Sequence, residues 1–168
     1  MRRGFLAIVI VAAYLAGAGL AQASKLVISI SKISQKMTIT VDGSQQFVWP
    51  VSTGAPGYDT PSGTFHPFRM EAEHFSKEWD DAPMPHSIFF TPDGHAIHGS
   101  YHVKSLGLRA SHGCVRLAPD NATKLFALVQ KAGMSNTTVI IKSGLFDFGF
   151  YQPSGAGTGR RPLFWNNN

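Results

Sequence analysis

Hydrophobic and polar positions alternate along much of this chain with the two-residue period of half-buried strands. Leu26-Val27-Ile28-Ser29-Ile30 is short and β-branched, and Met37-Thr38-Ile39-Thr40-Val41 places Met37, Ile39 and Val41 on one face. Asp42-Gly43 then has the chemistry of a two-residue hairpin turn into a strand at 46–51. Pro50 lacks an amide hydrogen, so that strand is expected at a sheet edge or at a bulge. Two glycines and two prolines make 54–62 a loop. Ser87–Thr91 and His95–Ile97 flank Pro92-Asp93-Gly94, which reads as a second hairpin with His98 at the end of a strand. From Pro119 the period changes. Ala122, Leu125, Leu128, Val129 and Ala132 recur at helical spacing, Pro119 suits the first helical position, and Gly133 stops the run. A last strand is expected over Thr137–Lys142, and from Gly144 the chain is rich in Gly, Pro and Asn with no period. The pattern predicts a mainly β domain with one α-helix, followed by a tail at 144–168.

The amino terminus changes the picture of where this domain works. Arg2 and Arg3 precede an apolar run from Phe5 to Leu15, and Ala21-Gln22-Ala23 is a small-x-small cleavage site, so residues 1–23 read as an export signal. Gly17 and Gly19 weaken the same stretch as a permanent membrane helix. Once cleaved, the chain is expected to keep no stable membrane span and to reside in the periplasm or cell envelope. The formal charge of the 168 residues is +5, and loss of Arg2 and Arg3 leaves +3. That mild charge suits an anionic extracytoplasmic polymer. It forms no basic stripe, which argues against nucleic acid.

Export sharpens the meaning of Cys114, the one cysteine in the chain. It has no partner for an intrachain disulfide, and an unpaired thiol in an oxidising compartment is a liability unless it reacts. Free cysteine is otherwise commonly a small buried hydrophobe. Cys114 follows Ser111-His112-Gly113, five positions before the helix, too far for the helix dipole to activate it. Activation then needs an imidazole. His112 shares a side with Cys114 if 111–114 is extended, and His98 comes from a separate strand. The carbonyl of Gly99 can orient a strand-end His98 in place of a carboxylate. The amides of Gly113 and Cys114 can form an oxyanion hole, which points to acyl transfer. His98, His102, His112 and Cys114 also make a conceivable zinc set, but His-x3-His is a helical spacing and this segment reads as strand and loop. No metal or other cofactor is called for. His66, His74 and His86 read as surface or packing residues.

Ile97-His98-Gly99, with twelve residues between His98 and Ser111-His112-Gly113-Cys114-Val115-Arg116, resembles the signature of the L,D-transpeptidase catalytic domain family. Gly57-Tyr58-Asp59-Thr60-Pro61-Ser62-Gly63-Thr64-Phe65 is similar to that family's upstream Thr-Pro-x-Gly loop. The resemblance implies a β-sandwich with a mixed sheet cradling one α-helix, within a catalytic domain at 24–143. It implies Cys114 as acyl-enzyme nucleophile, His98 as general base oriented by Gly99, and Ser111, His112 and Gly113 lining the substrate and oxyanion site. Some family members carry asparagine where this chain has Arg116, so Arg116, with Arg109 and Lys104, is a candidate for binding a stem-peptide carboxylate. The partners so implied are peptidoglycan stem peptides, with a second stem amine, water or an envelope protein as acyl acceptor.

Overall fold

The computed structural model describes residues 24–144. The expected export signal at 1–23 and the expected tail beyond Gly144 lie outside the described residues.

In chain order the strands are β1 (Leu26–Ser31), β2 (Lys36–Val41), β3 (Ser44–Pro50), β4 (Gly63–Phe65), β5 (Arg69–Glu71), β6 (Phe75–Ser76), β7 (Ala82–Pro83), β8 (Ser87–Phe89), β9 (Ala96–Gly99) and β10 (Val115–Leu117). Helix α1 (Pro119–Ala132) and β11 (Thr137–Lys142) complete the domain. One sheet has the order β3-β2-β1-β11-β4 and a second has β10-β9-β8-β5, while β6 and β7 form a separate hairpin. Both larger sheets are mixed, because β1 and β11 run parallel and so do β9 and β10.

The hairpin at Asp42-Gly43 forms as its chemistry requires. Both residues have positive φ, +49° and +82°, which a two-residue turn matched to strand twist demands. Strand β3 then lies at the sheet edge, where Pro50 costs no ladder hydrogen bond, and its register with β2 shifts between Ile39 and Thr40. The second hairpin is shorter on its β8 side than the sequence pattern indicates. Phe90 and Thr91 leave β8 to build the turn, in which Gly94 N–H donates to Thr91 O and His95 N–H to Thr91 Oγ1. Between β3 and β8 the sequence shows no strand periodicity, yet four strands of two or three residues occur there. Such lengths are too short to display a period.

Helix α1 has the predicted span, with Pro119 at its start and Gly133 (φ +84°) beyond its end. Its buried face is Ala122, Leu125, Phe126, Val129 and Ala132; Phe126 occupies the core position expected for Leu128, which is only half-buried. These side chains join Ile28, Ile30 and Ile39 of one sheet and Ile88, Ile97, Val115 and Leu117 of the other in a single core. A fully buried leucine or valine contributes about 1.5–3 kcal/mol through removal of apolar surface from water. The helix is thereby fixed behind β9, with Ala122 Cβ only 3.3 Å from where a side chain on Gly99 would begin.

Candidate active site

Strand alternation divides β9 and β10 between two tasks. Ile97, Val115 and Leu117 point into the core, and His98 and Arg116, paired across the parallel ladder, share the opposite face. Cys114 immediately precedes β10, two residues before Arg116, so it stands diagonally across from His98. His98, Cys114 and Arg116 line one cavity of about 120 Å³, with Trp79, Met84 and Ser100 on its other walls.

His98 is buried and its Nδ1 lies 2.8 Å from the carbonyl oxygen of Gly99. A carbonyl only accepts, so Nδ1 carries the hydrogen and Nε2 keeps a free lone pair. Burial is the largest influence on this imidazole and lowers its pKa to about 4, against the opposing pull of the Gly99 bond; Arg116 and His74 add to the lowering. His98 is therefore neutral at ordinary pH. The Cys114 thiol is pushed up by burial, which outweighs its hydrogen bond at Ala96 and the attraction of Arg116. Thiol and imidazole thus rest as a neutral pair, a protonated sulfur and an imidazole with a free Nε2 lone pair on one cavity.

The loop before Cys114 is held from several sides. Gly113 has φ +110°, and a side chain there would meet the His95 ring at 3.1 Å, so glycine is required both by conformation and by space. Ser111 is fully buried; its Oγ–H donates to Cys114 O at 2.5 Å, and the same oxygen accepts Gly113 N–H at 3.2 Å. Thr60 is also fully buried and ties the upstream loop to this one. Its hydroxyl donates to Gly113 O at 2.8 Å and accepts Gly54 N–H at 2.9 Å. Asp59 is gripped from both sides, by Lys32 Nζ at 2.7 Å and by Arg109 at 2.8 Å. Arg109 also donates to Gly54 O. Its guanidinium is committed to the loop, whereas Arg116 spends one N–H on Ala110 O and remains on the cavity wall. Lys104 is exposed and lines an adjoining cavity with Arg116.

His112 lines the same two cavities as Cys114, although residues 112–114 form a bend with Gly113 at φ +110° and not the extended segment considered from the sequence. Its ring is exposed and stacks flat on Trp79 at 3.7 Å, with Tyr58 edge-on at 4.9 Å. Trp79 sits in the β6–β7 turn in a polar stretch, and Tyr58 in the upstream loop; periodicity could flag neither. Three other histidines pack locally: His66 on Thr137 O, His74 on Glu71, and His86 against Thr123 and Phe126. His95, within the turn, contacts Thr91 Oγ1 through Nδ1 at 2.8 Å and faces Gly113. Among the described residues, no three His, Cys, Asp or Glu side chains group closely enough to hold a metal ion. Nor is any described helix long and apolar enough to cross a membrane.

Cys114 also borders a second, larger and more open cavity of about 730 Å³, partly walled by the β6–β7 hairpin. Ser76, Trp79, Met84, His112 and Cys114 belong to both. The β6–β7 hairpin thus contributes to the walls of both cavities that Cys114 borders.

Residues 25–141 match the model of the L,D-transpeptidase catalytic domain family, YkuD. No curated protein matches the sequence. Among solved structures, the chain is similar to an L,D-transpeptidase from Mycobacterium smegmatis (25% identity, TM-score 0.65, 71% of this chain and 59% of that one). It is similar to an L,D-transpeptidase (Yku) from Stackebrandtia nassauensis (26%, TM-score 0.62, 71% and 56%). L,D-transpeptidase 3 from Mycobacterium tuberculosis, in complex with a faropenem-derived adduct, shares the fold at 22% identity (TM-score 0.63, 71% and 61%). The chain spans about three fifths of the length of these solved structures.

Proposed function

The chain belongs to the L,D-transpeptidase catalytic domain family, and from that premise we propose that it is an exported peptidoglycan L,D-transpeptidase working through a Cys114 thioester. The observation that carries this reading is the presentation of His98 and Cys114 by adjacent parallel strands to one cavity, with the Nε2 lone pair of His98 free. In the first half-reaction Cys114 Sγ attacks the carbonyl between the diamino acid at stem position three and the terminal D-alanine. Nε2 of His98 takes the thiol proton and passes it to the departing D-alanine nitrogen, so the C–N bond breaks as the thioester forms. A neutral imidazole suits this task, since a proton already on Nε2 would block it.

Backbone amides at Gly113 and Cys114 are proposed to receive the oxyanion. The Gly113 amide is held only by a long bond to Ser111 Oγ, so Ser111 positions the loop and can yield that donor as charge develops. Arg116 is assigned the stem carboxylate, because Arg109 is already spent on Asp59 and Gly54. A side-chain amine of a second stem then attacks the thioester and forms the cross-link. The same acyl-enzyme resolved by water would give an L,D-carboxypeptidase, and by a lysine an anchor for an envelope protein. A cleaved signal at 1–23 and an envelope location complete the proposal.

Exposure of the purified protein to a carbapenem, followed by intact and peptide mass spectrometry, tests the nucleophile. A single adduct on Cys114, absent from Cys114→Ala, is expected, with D-alanine released from tetrapeptide-bearing muropeptides by the native protein alone. Unaltered muropeptides with a demonstrably reduced thiol would sink the reading in favour of a non-catalytic wall-binding module.

A further inference from the structure

A buried polar network runs to the loop before Cys114 from the sheet that contains neither β9 nor β10. It starts in the turn between β1 and β2, residues 32–35, where Lys32 is 9% exposed and Gln35 is 3% exposed. Gln35 holds φ at +52°, a left-handed conformation in which glycine is the usual choice. Such an outlier in a non-glycine residue points to a task for its side chain. One arm of the network begins at that carboxamide. Its Oε1 accepts Thr53 N–H at 2.9 Å, and its Nε2 donates to Thr53 Oγ1 and to Lys32 O, each at 2.7 Å. Thr53 is fully buried, and its carbonyl oxygen accepts the amides of Ala110 and Ser111, both at 3.0 Å. The second arm begins at Lys32. Its ammonium donates to Thr60 O at 2.8 Å as well as to Asp59, and Thr60 in turn holds the Gly113 carbonyl with its hydroxyl. The two arms therefore reach the nucleophile loop at Ser111 and at Gly113, on either side of His112.

Cys114 rides on this loop and His98 on β9, so the approach of thiol to imidazole depends on where 111–113 is set. We propose that Lys32 and Gln35 are positioning residues for acyl transfer, bracing from the other sheet the loop that presents the Cys114 thiol and the Gly113 amide. Neither contacts a reacting atom; Gln35 acts through Thr53, and Lys32 through Thr60. The inference rests on the thioester reading above and adds two residues that lie far from the site in sequence. A misplacement of about 1 Å can cost on the order of a hundredfold in rate. Loss of one arm, with the other still in place, is expected to cost less than that.

The test measures acylation of Cys114 by a carbapenem over a range of concentrations, which separates the limiting rate from the half-saturating concentration. Lys32→Met and Gln35→Met keep much of each side chain's length and remove its hydrogen bonds. Each is expected to lower the limiting rate about tenfold with little change in half-saturation. Lys32→Arg, which can still donate to Asp59 and Thr60, should recover most of that loss. Leu125→Ala is the control for lost stability, because it weakens the core without touching either arm; urea midpoints rank the variants, and rates are read where each is folded. Limiting rates in Lys32→Met and Gln35→Met equal to that of Leu125→Ala would overturn the proposal. So would a Lys32→Arg variant as slow as Lys32→Met. Amide hydrogen exchange at Gly113 and Cys114 supplies a readout that needs no reaction. It should be faster in Lys32→Met than in Leu125→Ala, and equal exchange would overturn the brace. If the native protein forms no carbapenem adduct, the thioester mechanism falls and the exchange comparison alone decides the brace.

Discussion

Burial pushes His98 and Cys114 alike toward their neutral forms. His98 with a pKa of about 4 stays unprotonated well below the ordinary imidazole range, and Cys114 holds its proton above the ordinary thiol range. The acid limb of kcat/KM is therefore expected at about pH 4, where His98 gains its proton, and not near the ~6.5 of an unperturbed imidazole. The same shift enters stability with a definite sign. As pH falls below ~6.5 the unfolded chain takes up a proton at His98 that the folded chain refuses until about pH 4. This residue thus removes about 3 kcal/mol of stability across that window and none further below it. Urea midpoints at neutral and acid pH should show a smaller acid loss in His98→Gln than in the native protein; equal losses would contradict the buried neutral imidazole. That Cys114 and His98 would come to one cavity was legible in the sequence, because residue identity and strand placement carry it. The stacking of His112 on Trp79 was not, because it depends on a hairpin distant in the chain and on the positive φ of Gly113, which is not written in its neighbours. Nor did any local pattern signal His95, whose ring matters only through its closeness to Gly113 in space.

Among the elements, the upstream loop is tied directly to the loop that precedes Cys114. Thr60 is its pivot, with one hydroxyl serving Gly54 N–H and Gly113 O in a site closed to water. Thr60→Val keeps the shape and leaves both backbone groups without a partner, at about 1–3 kcal/mol each. Carbapenem acylation of Cys114 is expected to slow severalfold even where circular dichroism shows a folded domain; an unchanged acylation rate would show that the nucleophile loop is held in other ways. The long elements here were readable from sequence. Helix α1 and strands β1, β2 and β11 are long enough for their periods to show, and Asp42-Gly43 has a turn chemistry with few alternatives. Strands β4 to β7 have two or three residues each and are specified by partners distant in the chain. That is why the β6–β7 hairpin and its Trp79–His112 stack had no signature in the pattern of polar and apolar positions.

At the scale of the molecule, one core joins both sheets to α1, so the face of β9 and β10 that carries His98 and Arg116 is backed by buried side chains on the opposite face. Leu125 is fully buried at the centre of that contact. Leu125→Ala should cost about 2–5 kcal/mol, read as a lower urea midpoint. Under conditions where the variant remains folded, kcat/KM should stay near the native value; a large loss in folded protein would mean that the helix positions β9 more delicately than core burial alone requires. The parallel pairing of β9 with β10 has a further consequence. Fifteen residues, 100 to 114, must loop round before the two strands can meet, and such non-local pairings are slow to form. Until that closure His98 and Cys114 are strangers in the chain, each chemically ordinary. The thiol and the imidazole therefore become neighbours only as the fold is completed, and a chain not yet folded keeps the two groups apart.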